Sequence, residues 1–217
     1  MAPPVAFDAA LRTRVSANLA GLTRHVIEPS AAEGAEGGSL RPAAVALTLL
    51  ADEAGEPAFL LTRRASTLAR HRGQFALPGG RLDAGESAES AALRELSEEL
   101  GLELGGEHVL GQLDDFKTRS GFVITPVVVW AEQVGALAPN PHEVARVYRV
   151  PLRELYQPEV PCLTPTGVPD APILSLPLVG TYVFSPTAAI IYQLREVALE
   201  GRATRVFHFD QPRFAWK

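Results

Sequence analysis

The sequence predicts an α/β protein in which helices flank a mixed sheet. Predicted strands outnumber predicted helices, and the two do not alternate regularly along the chain, so a mixed sheet is expected. Of the 217 residues, 47% are apolar and 21% are charged, which is typical of a globular domain and excludes disordered, fibrous and coiled-coil proteins. The length suits one domain with a short elaboration at each end.

The charge balance and the cysteine content limit the partners and the compartment that we expect. Lys and Arg number 20 against 25 Asp and Glu, a net charge of −5, so no basic surface indicates nucleic-acid binding. Cys162 is the only cysteine of the sequence, which excludes an intrachain disulfide and suits a reducing compartment. The N-terminus lacks the apolar run of a signal peptide, and polar residues and prolines interrupt the apolar stretch 173–192. We therefore expect a cytoplasmic protein without nucleic-acid or membrane partners, and a homodimer is compatible with the sequence.

The first 40 residues are predicted to form a helix and a flexible linker ahead of the main domain. Leucine and valine recur at helical spacing over residues 7–22, which indicates one amphipathic helix. A polar run with several glycines follows from Pro29 to Arg41 and is typical of a linker. We accordingly divide the chain into residues 1–40, the helix and linker, and residues 41–210, a single domain.

The domain contains the predicted strands and two further predicted helices. One helix is expected over residues 87–100, ending before Gly101, and another over residues 187–200. Pro-rich loops are expected over residues 151–172, and Pro126 within a predicted strand indicates an edge, a bulge or a strand start. The predicted strands are 43–50, 58–62, 109–113, 122–130, 143–150 and 204–209.

Three glutamates converge near the C-terminal end of the predicted helix 87–100. Glu95 and Glu99 are four residues apart and share one face, and Glu98 joins them from the flank. The helix macrodipole is negative at this end and like charges repel at this spacing, each effect costing up to about 1 kcal/mol. A bound divalent cation such as Mg²⁺ removes both penalties. The physical argument alone leaves two interpretations open, a metal site and a solvated acidic face.

A longer pattern around these glutamates resembles the signature of the Nudix hydrolases. The resemblance implies an α/β/α sandwich in which residues 80–102 form a loop–helix–loop. It also implies an enzyme that hydrolyses a nucleoside diphosphate linked to another group, with Mg²⁺ or Mn²⁺ as cofactor and a small-molecule nucleotide as substrate. The matching residues, at the spacing of the signature, are Gly80, Glu86, Arg94-Glu95-Leu96, Glu98-Glu99 and Gly101-Leu102.

The same resemblance implies a role for each glutamate. Glu95, Glu98 and Glu99 would hold the divalent metal. Glu98 is our choice for the catalytic base that accepts a proton from the attacking water, with Glu95, a flanking metal ligand, as the alternative. Glu143, at the start of a predicted strand, is a further candidate base, although a solvent-exposed strand end is the favoured interpretation.

The other positions of the pattern are expected to shape the site rather than to react. Glu86 and Arg94 would form a structural pair that fixes the loop to the helix, because an arginine fork binds a carboxylate at two points. Gly79 and Gly80 would let the backbone bend and approach the substrate closely.

The segment before the signature resembles the extra motif of the coenzyme A pyrophosphatase branch of the family. Residues 60–64 read Leu-Leu-Thr-Arg-Arg, and Gly73 and residues 78–80 match further along. Arg64 corresponds to an arginine of the motif and is expected to bind substrate, because a guanidinium binds phosphate oxygens bidentately.

The chain also departs from this motif at three positions. Ala65 stands in place of serine, Ala69 in place of arginine and Leu77 in place of phenylalanine. Arg70, beside the missing arginine, is expected to supply the cation from a shifted position, and Arg72 is an alternative.

Downstream segments extend the resemblance to residues 43–195. Residues 118–128, 143–152 and 187–191 are similar to the same branch. The resemblance implies hydrolysis of coenzyme A, or an acyl derivative, to 3′,5′-ADP and 4′-phosphopantetheine. Two alternatives stay open, a Nudix hydrolase of ADP-ribose, dinucleotides or other nucleotides, and a non-catalytic module that binds a nucleotide.

Overall fold

A mixed sheet runs through the middle of the domain. The structure, a computed structural model, describes residues 3–4, 6–28, 39–65, 73–132 and 134–216. Within these residues the sheet contains β1 (Arg41–Ala51), β2 (Pro57–Arg64), β3 (Phe75–Ala76), β4 (Gly79–Arg81), β5 (Val109–Gln112), β6 (Phe116–Lys117), β7 (Phe122–Trp130) and β8 (Val144–Pro151).

A smaller antiparallel sheet and several helices complete the described fold. The smaller sheet contains β9 (Cys162–Thr164), β10 (Ile173–Leu178) and β11 (Thr181–Phe184). The helices are α1 (Ala9–Ala20), α2 (Ala88–Leu100) and α3 (Thr187–Gln193), which continues into a π-helical turn, Leu194–Leu199. Short 3₁₀ turns lie at Gly106–His108, Leu152–Tyr156 and Arg213–Trp216.

The central strands β1 and β7 lie parallel, from the pair Arg41 and Phe122 to the pair Leu49 and Trp130. The other pairings of the large sheet are antiparallel: β1 pairs with β4 near its start and with β2 at its end, and β8 runs along the whole of β2. The predicted mixed sheet is therefore confirmed. Its topology brings β4, which carries the two glycines of the signature, directly beside β1.

Apolar side chains on both faces of the sheet bury the flanking layers. On one face, Ala92, Leu96 and Leu100 of α2 are buried with Ala44 and Val127 of the central strands. On the other face, α1, α3, the π-helical turn and the small sheet share a second buried cluster. Successive residues of a strand point to opposite faces, so β1 and β7 contribute to both clusters. The α/β/α sandwich that the sequence resemblance implies is present.

Helix α2 begins and ends where the sequence predicts. The Ser87 hydroxyl accepts a hydrogen bond from the Ser90 N–H at 3.2 Å, which caps the first turn. Gly101 has φ 64°, the left-handed conformation that closes a helix, and its N–H donates to the Ser97 carbonyl. These two caps fix the register of the helix, and hence which way its glutamates face.

The N-terminal helix packs on the domain. The Asp8 carboxylate caps it by accepting from the Leu11 N–H at 2.8 Å. Leu11, Val15 and Leu19 are buried in the second core cluster. Residues 29–38, most of the predicted linker, lie outside the described residues, and the division of the chain at residue 40 stays a prediction.

The C-terminal third differs from the sequence prediction. Residues 204–209 form no strand and contain a turn at residues 207–208, because side chains rather than a neighbouring strand bond this segment: Gln193 donates to the Thr204 carbonyl, and Arg205 donates to Asp114. The predicted loop 151–172 contains strand β9, and the unpredicted hairpin β10–β11 follows. Pro177 fits within β10 because it lies beyond the residues that pair with β9.

Pro126 occupies the middle of a central strand. A strand edge, a bulge or a strand start was expected there, and the edge and the strand start are wrong. Its neighbour on one side changes from β6, which pairs up to Ile124, to β5, which pairs from Val127. Pro126 therefore lies where the antiparallel ladder is interrupted, and the missing N–H costs little.

A buried carboxylate ties the segments after α1 and after α3 to the sheet. The Asp114 side chain is fully buried and accepts from the His25 N–H at 2.7 Å, from Gln193 at 2.7 Å and from the Arg205 guanidinium at 2.6 Å. Asp115, next along the chain, accepts from Arg24 at 2.9 Å.

No helix among the described residues is both long and apolar enough to cross a membrane.

Candidate active site

Arg94 joins the loop before α2 to the helix itself. Its guanidinium donates to both carboxylate oxygens of Glu86, at 2.9 and 3.1 Å. Glu86 also accepts from the Asp83 N–H at 2.9 Å, and Arg94 donates to the Arg81 carbonyl at 3.0 Å. The hydrogen bonds from Arg94 and Asp83 lower the pKa of Glu86 below its usual value. The loop is therefore held by a charged, two-point contact.

The remaining nitrogen of the same guanidinium faces the other glutamates. Nη1 of Arg94 donates to Glu95 at 2.9 Å and to Glu98 at 3.0 Å. The hydrogen bonds to Glu86 and Glu95 raise the pKa of Arg94, so it stays charged. One arginine thus partly neutralises three carboxylates.

Glu95 lies against the glycine backbone of β4. A Cβ on Gly80 would come within 2.6 Å of Cδ of Glu95, so any larger residue there would displace the carboxylate. Gly79 is equally constrained, because its Cβ would lie 2.7 Å from Cα of Val45. Burial raises the pKa of Glu95 by more than the contact with Arg94 lowers it.

Glu99 is the most deeply buried of the three glutamates, with only 3% of its surface exposed. Burial raises its pKa to about 7, and the negative charges of Glu95 and Glu143 act in the same direction. Arg64, whose Nη1 lies 3.9 Å from Oε1 of Glu99, and the Gly79 N–H oppose this shift. Glu99 and Glu95 therefore do not form a solvated acidic face, whereas the Glu98 side chain is 56% exposed.

The donor set of this cluster fits a hard divalent cation. Within the ranges that the structure describes, no three His, Cys, Asp or Glu side chains already form a ligand cage, and Arg94 occupies one oxygen each of Glu95 and Glu98. Mg²⁺ needs only one or two protein carboxylates and takes its other ligands from water and phosphate. Glu95 and Glu99, whose pKa values are raised by burial, supply such a pair, and Glu98 is accessible beside them.

A cavity of about 270 Å³ opens next to these carboxylates. Nε of Arg64 is buried there and has no hydrogen-bond partner in the described part of the chain. An unpaired buried donor is costly. The rest of the Arg64 side chain is 27% exposed and lines the cavity, so its outer nitrogens can reach a ligand oxygen. The lining includes Arg64, residues 74–77 and 79–81, Thr118, Ser120 and Phe122.

The match to a family model decides the relationship. Residues 40–166 match the model of the NUDIX domain. The chain belongs to the Nudix family. It is 42% identical over 100 residues to an uncharacterized Nudix hydrolase, NudL, of Yersinia enterocolitica, covering 46% of this chain and 51% of that protein. It is 41% identical over 115 residues to NudL of Photorhabdus laumondii, covering 52% and 60%. The chain thus spans little more than half the length of these curated relatives.

Solved structures of Nudix proteins share the fold. A MutT/nudix family protein from Enterococcus faecalis superposes with a TM-score of 0.54 at 21% identity, covering 80% of this chain and 68% of that one. The Nudix hydrolase RenU of M. smegmatis gives a TM-score of 0.50 at 23% identity, covering 77% and 93%. At these identities the likeness shows the Nudix fold alone.

Only some of the other expected site residues of this Nudix domain are found at the cavity. Arg64, Gly79 and Gly80 line the cavity, whereas Arg70 lies outside the described residues. Glu143 is half-buried rather than solvent-exposed, because the pairing of β8 with β2 sets Val144 opposite Arg64. Its charge raises the pKa of Glu95 and Glu99, so its carboxylate belongs to the same cluster.

Several residues that line the Nudix cavity were not predicted from the sequence. Arg81, Thr118 and Ser120 contribute polar groups. The sequence does carry a signal for them, the polar Thr-Arg-Ser run just before β7. Because the start of β1 pairs with both β7 and β4, residues that precede β7 lie at the same edge of the sheet as β4.

Replacing Arg94 with alanine is expected to loosen the Nudix loop. The change removes both bonds to Glu86, whose side chain is 13% exposed, and leaves three carboxylates without their shared cation. We expect the free energy of unfolding to fall by about 1.5–3 kcal/mol. Urea unfolding measures this effect. The control is Arg12→Ala, which breaks an exposed ion pair with Glu132 and an exposed hydrogen bond to the Glu107 carbonyl, and which should cost less than about 1 kcal/mol. Equal midpoints for the two variants would contradict the structural role of Arg94.

Proposed function

We propose that the protein hydrolyses the pyrophosphate linkage of coenzyme A, or of an acyl derivative, to 3′,5′-ADP and a 4′-phosphopantetheine product. The observation that supports this most is spatial. Residues of the segment before the signature, Arg64 and 74–77, line one cavity together with Thr118 and Ser120 of the segment after it. These two segments carry the resemblance to the coenzyme A branch, and the cavity ends at Gly79 and Gly80 beside the glutamates.

The charges of the site suit a pyrophosphate. Glu95, Glu98 and Glu99 would hold a divalent ion, Mg²⁺ or Mn²⁺, which would supply positive charge to the phosphates and lower the pKa of a water. Gly79 and Gly80 let the backbone approach the phosphates, since side chains there would collide with Val45 and Glu95.

The proposed reaction needs a base close to the attacking water. Glu98 is exposed and within the cluster, so its carboxylate accepts the water proton once Arg94 releases it, with Glu95 as the alternative. The water oxygen forms a bond to one phosphorus, the bond from that phosphorus to the bridging oxygen breaks, and the bridging oxygen leaves on the other phosphate.

Arg64 is proposed to bind a phosphate of the substrate, with Arg70 as a second cation. The unpaired Nε of Arg64 and its 27% exposed side chain leave it able to contact both Glu99 and a ligand in the cavity. Because coenzyme A carries a 3′-phosphate besides its pyrophosphate, it offers more acceptors to these arginines than a simple dinucleotide does.

Arg64→Ala is expected to discriminate between substrates with and without the 3′-phosphate. We expect kcat/KM for coenzyme A to fall about 10- to 100-fold more than kcat/KM for dephospho-coenzyme A, the effect of one charge-assisted contact of about 1.5–3 kcal/mol. Losing the partner of Glu99 affects both substrates alike, so the ratio isolates the phosphate contact. Arg153→Ala, at an exposed ion pair with Glu56, is the control. Equal losses for both substrates would show that Arg64 does not contact the 3′-phosphate.

A substrate panel tests the proposed function itself. The purified protein is assayed with Mg²⁺ and with Mn²⁺ on coenzyme A, acetyl-coenzyme A, ADP-ribose, a dinucleotide and a nucleoside triphosphate, and the products are identified by mass. We expect 3′,5′-ADP from the coenzyme A substrates at the highest kcat/KM. Much faster cleavage of ADP-ribose would overturn the coenzyme A assignment and keep the pyrophosphatase activity, and no cleavage of any substrate would favour a nucleotide-binding module.

A further inference from the structure

A second cavity adjoins the first. It has a volume of about 470 Å³ and shares Gln74, Phe75, Pro186 and Thr187 with the cavity beside the glutamates. The two cavities therefore lie side by side along β3. We call them together the groove, which extends from β4 to the hairpin β10–β11.

Five aromatic side chains line this second part of the groove, together with Arg63 and several polar residues. Tyr182 and Phe214 are each 52% exposed, although large apolar side chains are usually covered. Several exposed apolar groups that line one concave surface indicate a ligand site. We call this surface the aromatic trough, which consists of Phe75, Tyr148, Tyr182, Phe184 and Phe214.

The rings of the aromatic trough are tilted against one another. Phe184 and Phe214 meet edge to face at 84°, with centroids 5.3 Å apart, and Phe184 and Tyr182 are tilted by 42°. Phe75 and Tyr148 are tilted by 53°. A planar base binds best on or between parallel ring faces, whereas tilted rings make an irregular apolar channel. The trough therefore suits a flexible aliphatic chain better than a nucleobase.

The opposite end of the groove is cationic. The guanidinium carbons of Arg41 and Arg81 lie 4.0 and 5.4 Å from the centre of the Phe122 ring. Arg41 donates to the Ser120 carbonyl at 2.8 Å, and Arg81 lines the first cavity with Ser120 and Thr118. Arginines beside hydroxyl groups suit the phosphates of a nucleotide. This end of the groove therefore suits the nucleotide half of a substrate, and the aromatic trough suits the other half.

We propose that the aromatic trough binds the pantetheine arm and the acyl chain of the substrate, with the nucleotide half in the first cavity, which Arg64, Arg81 and Phe122 line, and the pyrophosphate at Gly79 and Gly80. The identity of the chain rests on the proposed function. The inference adds a direction for the substrate and a preference for acylated derivatives. The hairpin β10–β11 contributes Tyr182 and Phe184 and thereby sets the specificity for the pantetheine half of the substrate.

Binding measured without catalysis tests this placement. The probes are octanoyl-4′-phosphopantetheine, unacylated 4′-phosphopantetheine and 3′,5′-ADP, titrated by calorimetry into the full chain in EDTA. In the wild type we expect the octanoyl compound to bind at least about tenfold more tightly than the unacylated one, because the chain buries apolar surface. Tyr182→Ala and Phe214→Ala should each remove most of this difference and leave the Kd of 3′,5′-ADP unchanged. Phe207→Ala, an aromatic 46% exposed beside His25, is the matched control and should change neither.

Each outcome decides between the two proposals. If the octanoyl group adds no affinity in the wild type, or if the trough variants bind both pantetheine compounds like the wild type, the trough does not hold the chain. If the variants lose affinity for 3′,5′-ADP instead, the rings hold the base and the proposed direction is reversed. If the octanoyl effect and its loss in the variants are seen while coenzyme A is not cleaved, the placement holds and the proposed function is wrong.

Discussion

Glu99→Gln is expected to lower kcat by about two to three orders of magnitude while the protein stays folded. The substitution keeps the shape of the side chain and removes the negative charge that is proposed to hold the divalent metal, so stabilisation of the transition state is lost. Because the carboxylate is buried, with its pKa raised to about 7, the amide avoids the cost of burying a charge. In the presence of a chelator we therefore expect the variant to unfold at the same temperature as the wild type or above it.

Steady-state kinetics and thermal unfolding, measured on the same preparations, separate these two effects. Glu103→Gln, an exposed glutamate just after α2, is the control and should change neither kcat nor the unfolding temperature. Turnover by Glu99→Gln at the wild-type rate, or full wild-type activity in excess chelator, would refute the metal-binding role.

Asp114→Ala is expected to cause the largest loss of stability, about 3–5 kcal/mol in the free energy of unfolding. The carboxylate is fully buried and has three partners, so its removal leaves the Arg205 guanidinium, the Gln193 amide and the His25 N–H without their acceptor. Urea denaturation measures the loss. Asp114→Asn, which keeps one carbonyl oxygen as acceptor, should lose less.

A double-mutant cycle attributes the loss to the buried pair. Arg205→Ala combined with Asp114→Ala should cost less than the sum of the single changes, because each single change leaves a charged partner unpaired. Glu103→Ala provides the exposed-carboxylate baseline, near zero. An Asp114→Ala midpoint equal to that of Glu103→Ala would show that the buried carboxylate contributes nothing.

The sequence predicted best those elements that local rules determine. Helix α2 follows from its periodic apolar residues, the cap at Ser87 and the glycine at its C-terminus, all within 15 residues of one another. The contacts of Arg94 with Glu86 and Glu98 also depend on short separations along the chain, eight and four residues. The position of Gly80 against Glu95 follows from the same loop and helix.

Features that depend on strand pairing or contacts between residues far apart in the chain were not predicted from the sequence. Glu143 joins the cluster only because β8 pairs with β2, and no local pattern specifies that register. The hairpin β10–β11 was not predicted, and Pro177 is compatible with it because this residue lies beyond those that pair with β9. Residues 204–209 were predicted as a strand, but the bonds from Arg205 and Gln193 hold this segment outside the sheet, with a turn at residues 207–208.

The shared guanidinium of Arg94 couples the conformation of the signature loop to the electrostatics of the helix. Its bonds to Glu86 and its bonds to Glu95 and Glu98 draw on one positive charge, so they compete. When Arg94 holds the loop less firmly, its guanidinium binds Glu95 and Glu98 more strongly. A cation that binds these two carboxylates must then displace a stronger contact with Arg94. Substitutions in the loop 82–87 would therefore change the affinity of the proposed site for a cation without altering any of its proposed ligands. In this family member, natural selection that changes this loop would therefore also change how fully the proposed cation site is occupied.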